Sequence, residues 1–239
     1  MTHVTPFKES SDSKKLQVEQ MFDQISHRYD FLNHFLSLGI DKLWRKKAVK
    51  ILRSFNPDTV LDVATGTADF AIAALDSGAK EIVGIDISEG MLNVGREKVK
   101  KYNGRIRLER GDSEHIQFND QTFDAIIVAF GVRNFEHLQK GLAEMRRVLK
   151  PGGHLIVLEF SKPSAFPVKQ VYNFYFKYIL PFWGNLLAKH KTAYSYLPES
   201  VMAFPEGEQF VAELKKAGYS IAENRPLSFG ISSIYIAQK

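Results

Sequence analysis

Two aspartates close two short apolar segments of this chain, and their spacing points to a ligand site. Asp62 lies near the start of VLDVATGTAD, residues 60–69, and Asp86 ends IVGID, residues 82–86. An apolar strand that turns through a glycine into a helix, with a carboxylate roughly 20 residues further on, is the pattern of a nucleotide-binding βαβ unit. We therefore expect Asp86 to accept a hydrogen bond from a ribose, which predicts a cofactor that contains adenosine.

The turn after the first segment narrows the choice of cofactor. A nicotinamide or flavin dinucleotide needs G-x-G-x-x-G here, because three glycines let backbone amides approach the pyrophosphate. This turn has only Gly66. S-adenosylmethionine carries no phosphate and needs one tight turn with amides near a helix N-terminus, which Thr67 and Ala68 supply. The alternative is that Gly66 is only a connecting turn and that Asp62 only caps a helix.

Polar residues after the next strands define the same crevice. Ser88 is better placed than Asp86 to cap the helix that follows, so Asp86 stays free for a ligand. Asp112 and Ser113 follow the predicted strand Ile106–Arg110. Because ligands of open α/β sheets bind beyond the carboxyl ends of the strands, we expect these two residues to face the adenine.

The fourth predicted strand, Phe123–Ala129, is almost continuously apolar, as a parallel strand covered on both faces should be. It opens into FGVRN, which directs Arg133 and Asn134 toward the same crevice. The segment Lys150–Gly153 (KPGG) is predicted to be a turn between a helix that ends near residue 149 and a fifth strand, His154–Phe160.

Composition favours an intracellular enzyme with a single core. The chain has 239 residues, of which 44% are hydrophobic, enough for one α/β domain. It has no cysteine, which excludes disulfides, thiolate metal ligands and a thiol nucleophile. The polar N-terminus lacks the apolar core of a signal peptide, and no stretch reaches the roughly 18 apolar residues of a membrane span. We expect a cytoplasmic protein that binds no metal, since its histidines form no close H-x-H or H-x-x-x-H pair.

The net charge of +5 is compatible with nucleic acid, with anionic lipid, or with ordinary solvated helix faces. The basic clusters Arg45–Lys47 and Lys98–Lys101 lie on predicted helices. Helices need a solvated face, so we favour that interpretation for both clusters and predict no nucleic-acid partner.

Two segments lie outside the predicted nucleotide-binding core. Residues 14–55 are predicted to form two or three helices, in which Tyr29, Asp30 and Asn33 either have buried partners or face a ligand crevice. The aromatic segment Phe166–Lys189 is predicted to be one interrupted helix. It is suited to cover an apolar substrate or to contact a membrane, and the alternative is that it packs against the edge of the sheet.

The element order predicts one α/β domain over residues 1–239, with a doubly wound, seven-stranded, mostly parallel sheet and a C-terminal antiparallel strand. We divide it into an N-terminal helical cap (14–55), a cofactor-binding core (56–162), an aromatic insertion that covers the substrate (163–204), and a final helix and strand pair (205–239). The final helix is predicted over Pro205–Ala217, and the strands over Tyr219–Pro226 and Ile231–Ala237.

The sequence resembles the C-methyltransferases of menaquinone and ubiquinone biosynthesis, which belong to the class I, Rossmann-like methyltransferases that use S-adenosylmethionine. The resemblance runs nearly from end to end. FGVRN and LEFSKP are its specific motifs, whereas the strand-end motifs occur in methyltransferases of many substrate classes. The segments that carry it are Arg28–Asp30 with Asn33, Gly39–Arg45, Leu61–Asp69, Phe130–Asn134, Val148–Gly153 and Leu158–Pro163.

The resemblance implies a polyprenylated quinol as substrate, demethylmenaquinol first and 2-methoxy-6-polyprenyl-1,4-benzoquinol as the alternative. It also implies transient contact with the inner face of the cytoplasmic membrane, and a homodimer. It places Thr67 near the methionine end of the cofactor, Asp86 on the ribose, and Asp112 with Ser113 near the adenine. Gly66 and Asp62 complete the set of residues expected to bind the cofactor. One departure is that Ala64 stands where many methyltransferases have the first glycine of G-x-G.

For the reaction itself, we expect Arg133 to stabilise the ring oxyanion, while Asn134, Tyr29 and Asp30 orient the hydroxyl or the water that takes its proton. The alternative for Arg133 is an ion pair with an acidic neighbour. Two other classes of function stay open, an RNA methyltransferase and a non-catalytic scaffold that binds the cofactor.

Overall fold

A seven-stranded sheet forms the centre of the computed structural model, which describes residues 4–179 and 192–239. The strand order is β3-β2-β1-β4-β5-β7-β6, and β7 alone runs against the other strands. The predicted fold class is therefore confirmed. The strands are β1 Thr59–Val63, β2 Glu81–Asp86, β3 Ile106–Arg110, β4 Phe123–Ala129, β5 Leu149–Phe160, β6 Ile221–Leu227 and β7 Ser232–Gln238.

The strand order reverses between β1 and β4, and this reversal places the ligand crevice. From β1 the chain moves outward to β2 and β3, then returns to pair β4 with the other edge of β1. The connections on the two sides of β1 therefore diverge and leave an opening beyond its carboxyl end.

Helices cover both faces of the sheet. On one face, an apolar cluster joins the sheet to the helices that begin at residues 40, 69 and 89. On the opposite face, a second cluster joins it to the helices that begin at residues 138 and 208. Ile126 and Ile127 of β4 point to opposite faces and are both fully buried, which explains the continuous apolar sequence of this strand. The helices are α1 Lys14–Leu36, α2 Ile40–Ser54, α3 Asp69–Ala74, α4 Glu89–Val99, α5 Leu138–Val148, α6 Val168–Phe174, α7 Thr192–Ala203 and α8 Glu208–Lys216.

The start of β5 differs from the prediction. The sequence predicted a turn over residues 150–153 and a strand from His154, but Leu149 already pairs with Phe123 of β4. The next pair joins Ala125 to His154, so residues 150–153 form a bulge inside the strand. Gly153 is required there, because a Cβ would lie 2.9 Å from the carbonyl oxygen of Asp124.

The aromatic insertion is more divided than predicted. Helix α6 is short and continues into a π-helical turn over Tyr175–Ile179. The rest of the helix predicted over Phe166–Lys189 lies outside the described residues. Helix α7 was not predicted, and it contains Pro198, a residue that usually interrupts helices. Within the described ranges, no helix is long and apolar enough to cross a membrane.

Candidate active site

A cavity lies at the carboxyl ends of β1 to β4, and α1 covers it. It is where the strand order reverses, as expected for a nucleotide site in this type of sheet. The polar residues that line it come from the ends of β2, β3 and β4 and from α1. They are Lys15, Tyr29, Asp86, Asp112, Ser113, Glu114, Asn134 and Glu136.

Asp86 is fixed in the wall of this cavity by two backbone hydrogen bonds. Its Oδ2 accepts the backbone N–H of Gly66 at 2.8 Å, and its Oδ1 accepts the backbone N–H of Ser88 at 2.9 Å. Burial raises the pKa of Asp86 to about 6. Each carboxylate oxygen has a second lone pair, so Asp86 can accept a hydrogen bond from a ribose hydroxyl without moving. As predicted, Ser88 caps α4, with its Oγ accepting the N–H of Met91 at 3.1 Å.

Small residues keep the backbone of the cavity open. Gly66 has a φ of +56°, which glycine adopts without strain. At Gly131, a Cβ would lie 2.7 Å from the Cβ of Ala64, so the turns after β1 and β4 approach too closely for a side chain. These turns form a narrow cradle lined by backbone, and its acidic and amide groups fit the adenosyl group of S-adenosylmethionine.

Two of the predicted cofactor residues lie behind the turn after β1. The Thr67 hydroxyl donates to Asp30 Oδ1 at 2.5 Å, and the Thr65 hydroxyl donates to Asp62 Oδ2 at 2.6 Å. Neither Thr67 nor Asp62 is among the described residues that line the cavity. Burial raises the pKa of Asp62 to about 7. The two side chains support the turn, and their direct contact with the cofactor stays a prediction.

Asp112 and Ser113 do line the cavity, but Asp112 already has two partners. The Nζ of Lys15 lies 2.7 Å from Asp112 Oδ2, and the N–H of Glu114 donates to Oδ1 at 2.8 Å. Burial lowers the pKa of Lys15, and its bonds to Asp112 and Glu114 outweigh that effect, so the pKa is raised overall. The sequence did not single out Lys15, because nothing in its local pattern shows that α1 closes over the third strand.

A second, mostly apolar cavity of about 310 Å³ adjoins the first. Residues from α1, α2, α6 and α7 and from the end of β5 line it. Phe22, Tyr29 and Phe130 line both cavities, so ligands in the two spaces meet beside these three residues. The arrangement suits a reaction between an adenosyl cofactor and a large apolar molecule.

Arg133 lies in the wall of the second cavity, where its guanidinium forms an ion pair but keeps one hydrogen-bond donor without a partner in the described part of the chain. A guanidinium N–H donates to Glu159 Oε1 at 2.9 Å, and the same nitrogen contacts the carbonyl oxygen of Phe130. Glu159 is 0% exposed, and burial raises its pKa although Arg133 opposes this shift. The ion pair considered for Arg133 is therefore present. Among the described residues, Arg133 Nε has no hydrogen-bond partner, which leaves one buried donor for a ligand.

Asn134 and Tyr29 are the other two residues predicted to orient the substrate beside Arg133. Asn134 Nδ2 is 3.5 Å from the Phe130 carbonyl oxygen, and Asn134 Oδ1 is buried without a partner in the described part of the chain. The Tyr29 hydroxyl bonds to Asn33, and burial raises the pKa of Tyr29. Both residues line the cofactor cavity, so they are placed to orient a substrate next to it.

Asp30 is not among the described lining of either cavity and pairs instead with a lysine of α4. Its Oδ2 lies 2.7 Å from the Nζ of Lys98, which also contacts Asp69 at 2.5 Å. Asp30 is absent from the described lining of both cavities. It ties α1 to α3 and α4, and its predicted role toward the substrate stays a prediction.

The prediction that both basic clusters are solvated faces is wrong for Arg45 and Lys98. Lys98 forms the two ion pairs just described, and Arg45 is 8% exposed and pairs with Asp41. Lys46 and Lys47 are exposed, as predicted. A signal was available, since Asp41 stands four residues before Arg45, and Arg45 flanks the apolar stripe that begins at Trp44.

Comparison with known proteins agrees with this geometry. The model of the ubiE/COQ5 methyltransferase family matches residues 8–239. The chain belongs to this family. Among its relatives, a demethylmenaquinone methyltransferase of Bacteroides fragilis is 53% identical over 234 residues, 96% of each chain. A ubiquinone/menaquinone biosynthesis C-methyltransferase UbiE of Geobacter sulfurreducens is 46% identical, over 93% of this chain and 88% of the relative.

A solved structure confirms the fold. A SAM-dependent methyltransferase of Thermotoga maritima superposes with a TM-score of 0.64 at 19% identity, covering 92% of this chain and 99% of the other. With the family match, this makes the present chain an S-adenosylmethionine-dependent methyltransferase. The predicted enzyme class and cofactor are confirmed.

Proposed function

We propose that this methyltransferase adds a methyl group to a ring carbon of demethylmenaquinol, a polyprenylated quinol, to form menaquinol. The observation that carries the proposal is the apolar cavity that adjoins the cofactor cavity and contains the buried guanidinium of Arg133. A quinol ring with a prenyl tail is apolar except for its two oxygens, so it matches an apolar space with a few polar groups in its wall. The name of the Bacteroides fragilis relative supports the same substrate.

The chemistry requires an electron-rich ring carbon held in line with an electrophilic methyl group. When bound, S-adenosylmethionine supplies that methyl group on a sulfonium. In this proposal Arg133 Nε donates to the quinol oxygen and stabilises its anion, which pushes electron density into the ring. Asn134 and Tyr29 orient the hydroxyl or the water that takes its proton. The new carbon–carbon bond replaces the methyl–sulfur bond, the ring carbon then loses its proton to water, and the quinol oxygen takes up a proton, which gives the aromatic methylated quinol.

The proposed cofactor contacts follow the strand ends. Asp86 holds the ribose hydroxyls, and Asp112 and Ser113 face the adenine. The amides of the Gly66 turn hold the methionine end, supported from behind by Thr67 and Asp62. Because Lys15 neutralises Asp112, it belongs to this contact set as well.

A second candidate substrate is the benzoquinol 2-methoxy-6-polyprenyl-1,4-benzoquinol. The Geobacter sulfurreducens relative is named for both ubiquinone and menaquinone biosynthesis, which favours keeping this ring in the comparison. Both rings carry two para oxygens and an apolar tail, and they differ in width and in the methoxy group.

We also propose a cytoplasmic location with transient contact at the membrane surface, no nucleic-acid substrate, and the homodimer that the resemblance implies. The mouth of the apolar cavity supports the membrane contact. Leu38 and Val171 line this cavity and are 82% and 66% exposed, so apolar side chains rim its opening. Exposed lysines of α2, including Lys46 and Lys47, favour an anionic surface.

Methyl transfer from labelled S-adenosylmethionine tests the proposal. Reduced demethylmenaquinol, the benzoquinol and bulk RNA are supplied in parallel in anionic liposomes. We expect label in demethylmenaquinol, with less or none in the benzoquinol. Label in RNA alone, or in no acceptor despite measured cofactor binding, would replace the proposal with an RNA methyltransferase or a scaffold respectively.

A further inference from the structure

Arg45 is a buried cation in the wall of the apolar cavity, and the reaction described above does not use it. The side chain is 9% exposed, whereas its neighbours Lys46 and Lys47 on α2 are exposed. Burial of a guanidinium in apolar surroundings is costly unless it is paired and hydrogen-bonded. The position of Arg45 therefore requires an explanation beyond the solubility of the helix.

The pairing of Arg45 is incomplete. One guanidinium nitrogen contacts Asp41 Oδ2, one helical turn earlier. Asp41 also accepts the Ser37 hydroxyl at 2.6 Å and lies 2.9 Å from His34 Nδ1, so its carboxylate is firmly held. Among the described residues, the Nε of Arg45 has no hydrogen-bond partner, although it is buried. Asp41 thus fixes the guanidinium in place and leaves a donor unused.

Arg45 and Arg133 border the same group of aromatic rings. The rings of Phe130 and Phe160 have centroids 4.6 Å apart and a tilt of 31°. Arg45 Cζ lies 5.7 Å from the Phe130 centroid, and Arg133 Cζ lies 5.6 Å from the Phe160 centroid. The indole of Trp44 packs beside both rings, with a distance of 6.2 Å between its ring centroid and each of theirs. Two guanidinium groups, each with a buried and unused Nε–H, therefore flank one aromatic wall of the cavity.

We propose that Arg45 is a second quinol-binding residue, which donates a hydrogen bond to the ring oxygen para to the one that Arg133 stabilises. A flat ring with oxygens on opposite sides satisfies both donors at once while it stacks on the aromatic wall. The inference rests on the proposed function and deepens it, because it makes the para-dihydroxy pattern the feature that the cavity selects. Arg45 acts on binding and orientation, whereas Arg133 acts on the anion next to the reacting carbon.

Paired acceptors test this selection. One is a short-chain demethylmenaquinol, and the other is the same naphthalene without the hydroxyl beside the prenyl chain. A site built to hydrogen-bond a hydroxyl rejects the analogue that lacks it, because its own buried donor is left unpaired. For the native enzyme with S-adenosylhomocysteine bound, we expect the diol to bind about 10- to 100-fold more tightly, the range for a charge-assisted hydrogen bond. Quenching of the tryptophan fluorescence, to which Trp44 in the cavity wall contributes, needs no turnover and reports the dissociation constant.

Arg45→Gln should remove this preference. We expect its affinity for the diol to fall about 10-fold or more and its affinity for the mono-hydroxy analogue to stay within about 2-fold. The KM for the diol should rise while kcat changes little, because the lost contact is made equally in the ground state and the transition state. Arg53→Gln, which removes an exposed guanidinium from the same helix, should leave both affinities unchanged.

A double variant controls for a loss of stability in Arg45→Gln. If Arg45→Gln leaves Asp41 as an unpaired buried charge and unfolds the protein, Asp41→Asn combined with Arg45→Gln removes both charges. Equal weakening of both acceptors in a folded variant, or a native enzyme that does not distinguish them, would overturn the role of Arg45. A native enzyme that binds neither acceptor and methylates no quinol would instead overturn the proposed function, so the two failures are distinguishable.

Discussion

The guanidinium of Arg133 forms an ion pair that supports the fold, and we propose that it also stabilises the quinol anion. Suitable variants can separate these two roles of Arg133. Its ion pair with Glu159 lies in the interior, where the removal of one partner leaves an uncompensated charge. Its Nε–H is buried without a partner among the described residues, and Arg133 lines the cavity in which we place the quinol. A loss of activity on mutation is therefore informative only when the loss of stability is controlled.

We expect Arg133→Ala to lower kcat about 10²- to 10³-fold, the usual effect of removing one donor to a developing oxyanion. Cofactor affinity should stay nearly unchanged, since Arg133 is not among the described residues that line the cofactor cavity. Stability should fall by about 3–5 kcal/mol, because Glu159 loses its partner. The double variant Arg133→Ala with Glu159→Gln should recover most of the stability and none of the turnover. Parallel losses of turnover and cofactor binding would remove the assigned role.

Asp62 should make stability depend on pH in the opposite sense to most aspartates. Burial raises its pKa to about 7, so the folded protein holds this proton to a higher pH than the unfolded chain does. Stability therefore falls as the pH rises from about 4 to about 7. Between pH 5 and pH 8, we expect this residue to reduce the free energy of unfolding by up to about 3 kcal/mol. Urea unfolding at both pH values should show a smaller decrease for Asp62→Asn, and an unchanged decrease would contradict this account.

At the scale of elements, the strands were the most predictable part of the molecule. The bounds of β3 and β4 agree with the prediction at both ends, because each is an apolar segment between clear turn residues. Features that depend on distant partners were missed. The bulge before His154 follows from pairing with β4, and the burial of Arg45 follows from the packing of α2 near Phe130 and Phe160. Helix α7 contains Pro198, a residue that usually interrupts helices, so the local sequence does not predict it.

The residues of the candidate site also fall into predictable and unpredictable ones. Asp86, Asp112, Ser113 and Asn134 were predicted from the ends of strands and do line the cofactor cavity, because strand order and direction alone bring these positions together. The placement of Asp30 was not predictable, since it depends on how α1 crosses α4. The link through Lys98 between these helices is therefore a feature that only the structure provides.

Lys98→Gln should loosen α1, which covers the cofactor cavity. Lys98 pairs with Asp30 of α1 and Asp69 of α3, and both pairs are partly buried. We expect the dissociation constant for S-adenosylmethionine to rise about 3- to 10-fold, together with faster amide hydrogen exchange in α1. Lys100→Gln is the matched control, because Lys100 pairs only with the neighbouring exposed Glu97 in the described residues. Similar effects of the two variants in calorimetry and exchange would contradict a specific role for the link.

At the scale of the whole molecule, one end of the sheet concentrates both chemistry and apolar surface. The carboxyl ends of the strands carry the two cavities, and the turn between β6 and β7 carries Phe229, which is 83% exposed at a positive φ of 59°. Ile231, two residues later, lines the apolar cavity together with Leu38 and Val171. In the proposed membrane contact, this common orientation would turn the cavity mouth toward the bilayer that holds the prenyl tail.

Apolar rim residues should therefore control membrane binding without affecting the chemistry. We expect Phe166→Asp combined with Phe229→Asp to reduce flotation with anionic liposomes by more than about 10-fold, because charged side chains replace exposed apolar ones, and neither residue is among the described lining of the apolar cavity. Methylation of a short-chain, water-soluble quinol should be retained. Ile221→Asp is the control, since Ile221 is also exposed, at 58%, but begins β6 at the opposite end of the sheet. Binding that is lost equally in the control, or unchanged in the rim variant, would contradict this orientation.

Carbon-13 NMR of the product formed from reduced demethylmenaquinol and S-adenosylmethionine with a ¹³C-labelled methyl group tests the central claim most directly. The claim is that the two adjoining cavities place a quinol ring carbon, and not an oxygen, beside the methyl group. The expected spectrum has a single labelled methyl signal at the chemical shift of a methyl group bonded to an aromatic carbon. A methoxy signal would show transfer to oxygen, and an unlabelled quinol recovered from active, cofactor-bound enzyme would show that the acceptor is another molecule. Either result would contradict quinol C-methylation.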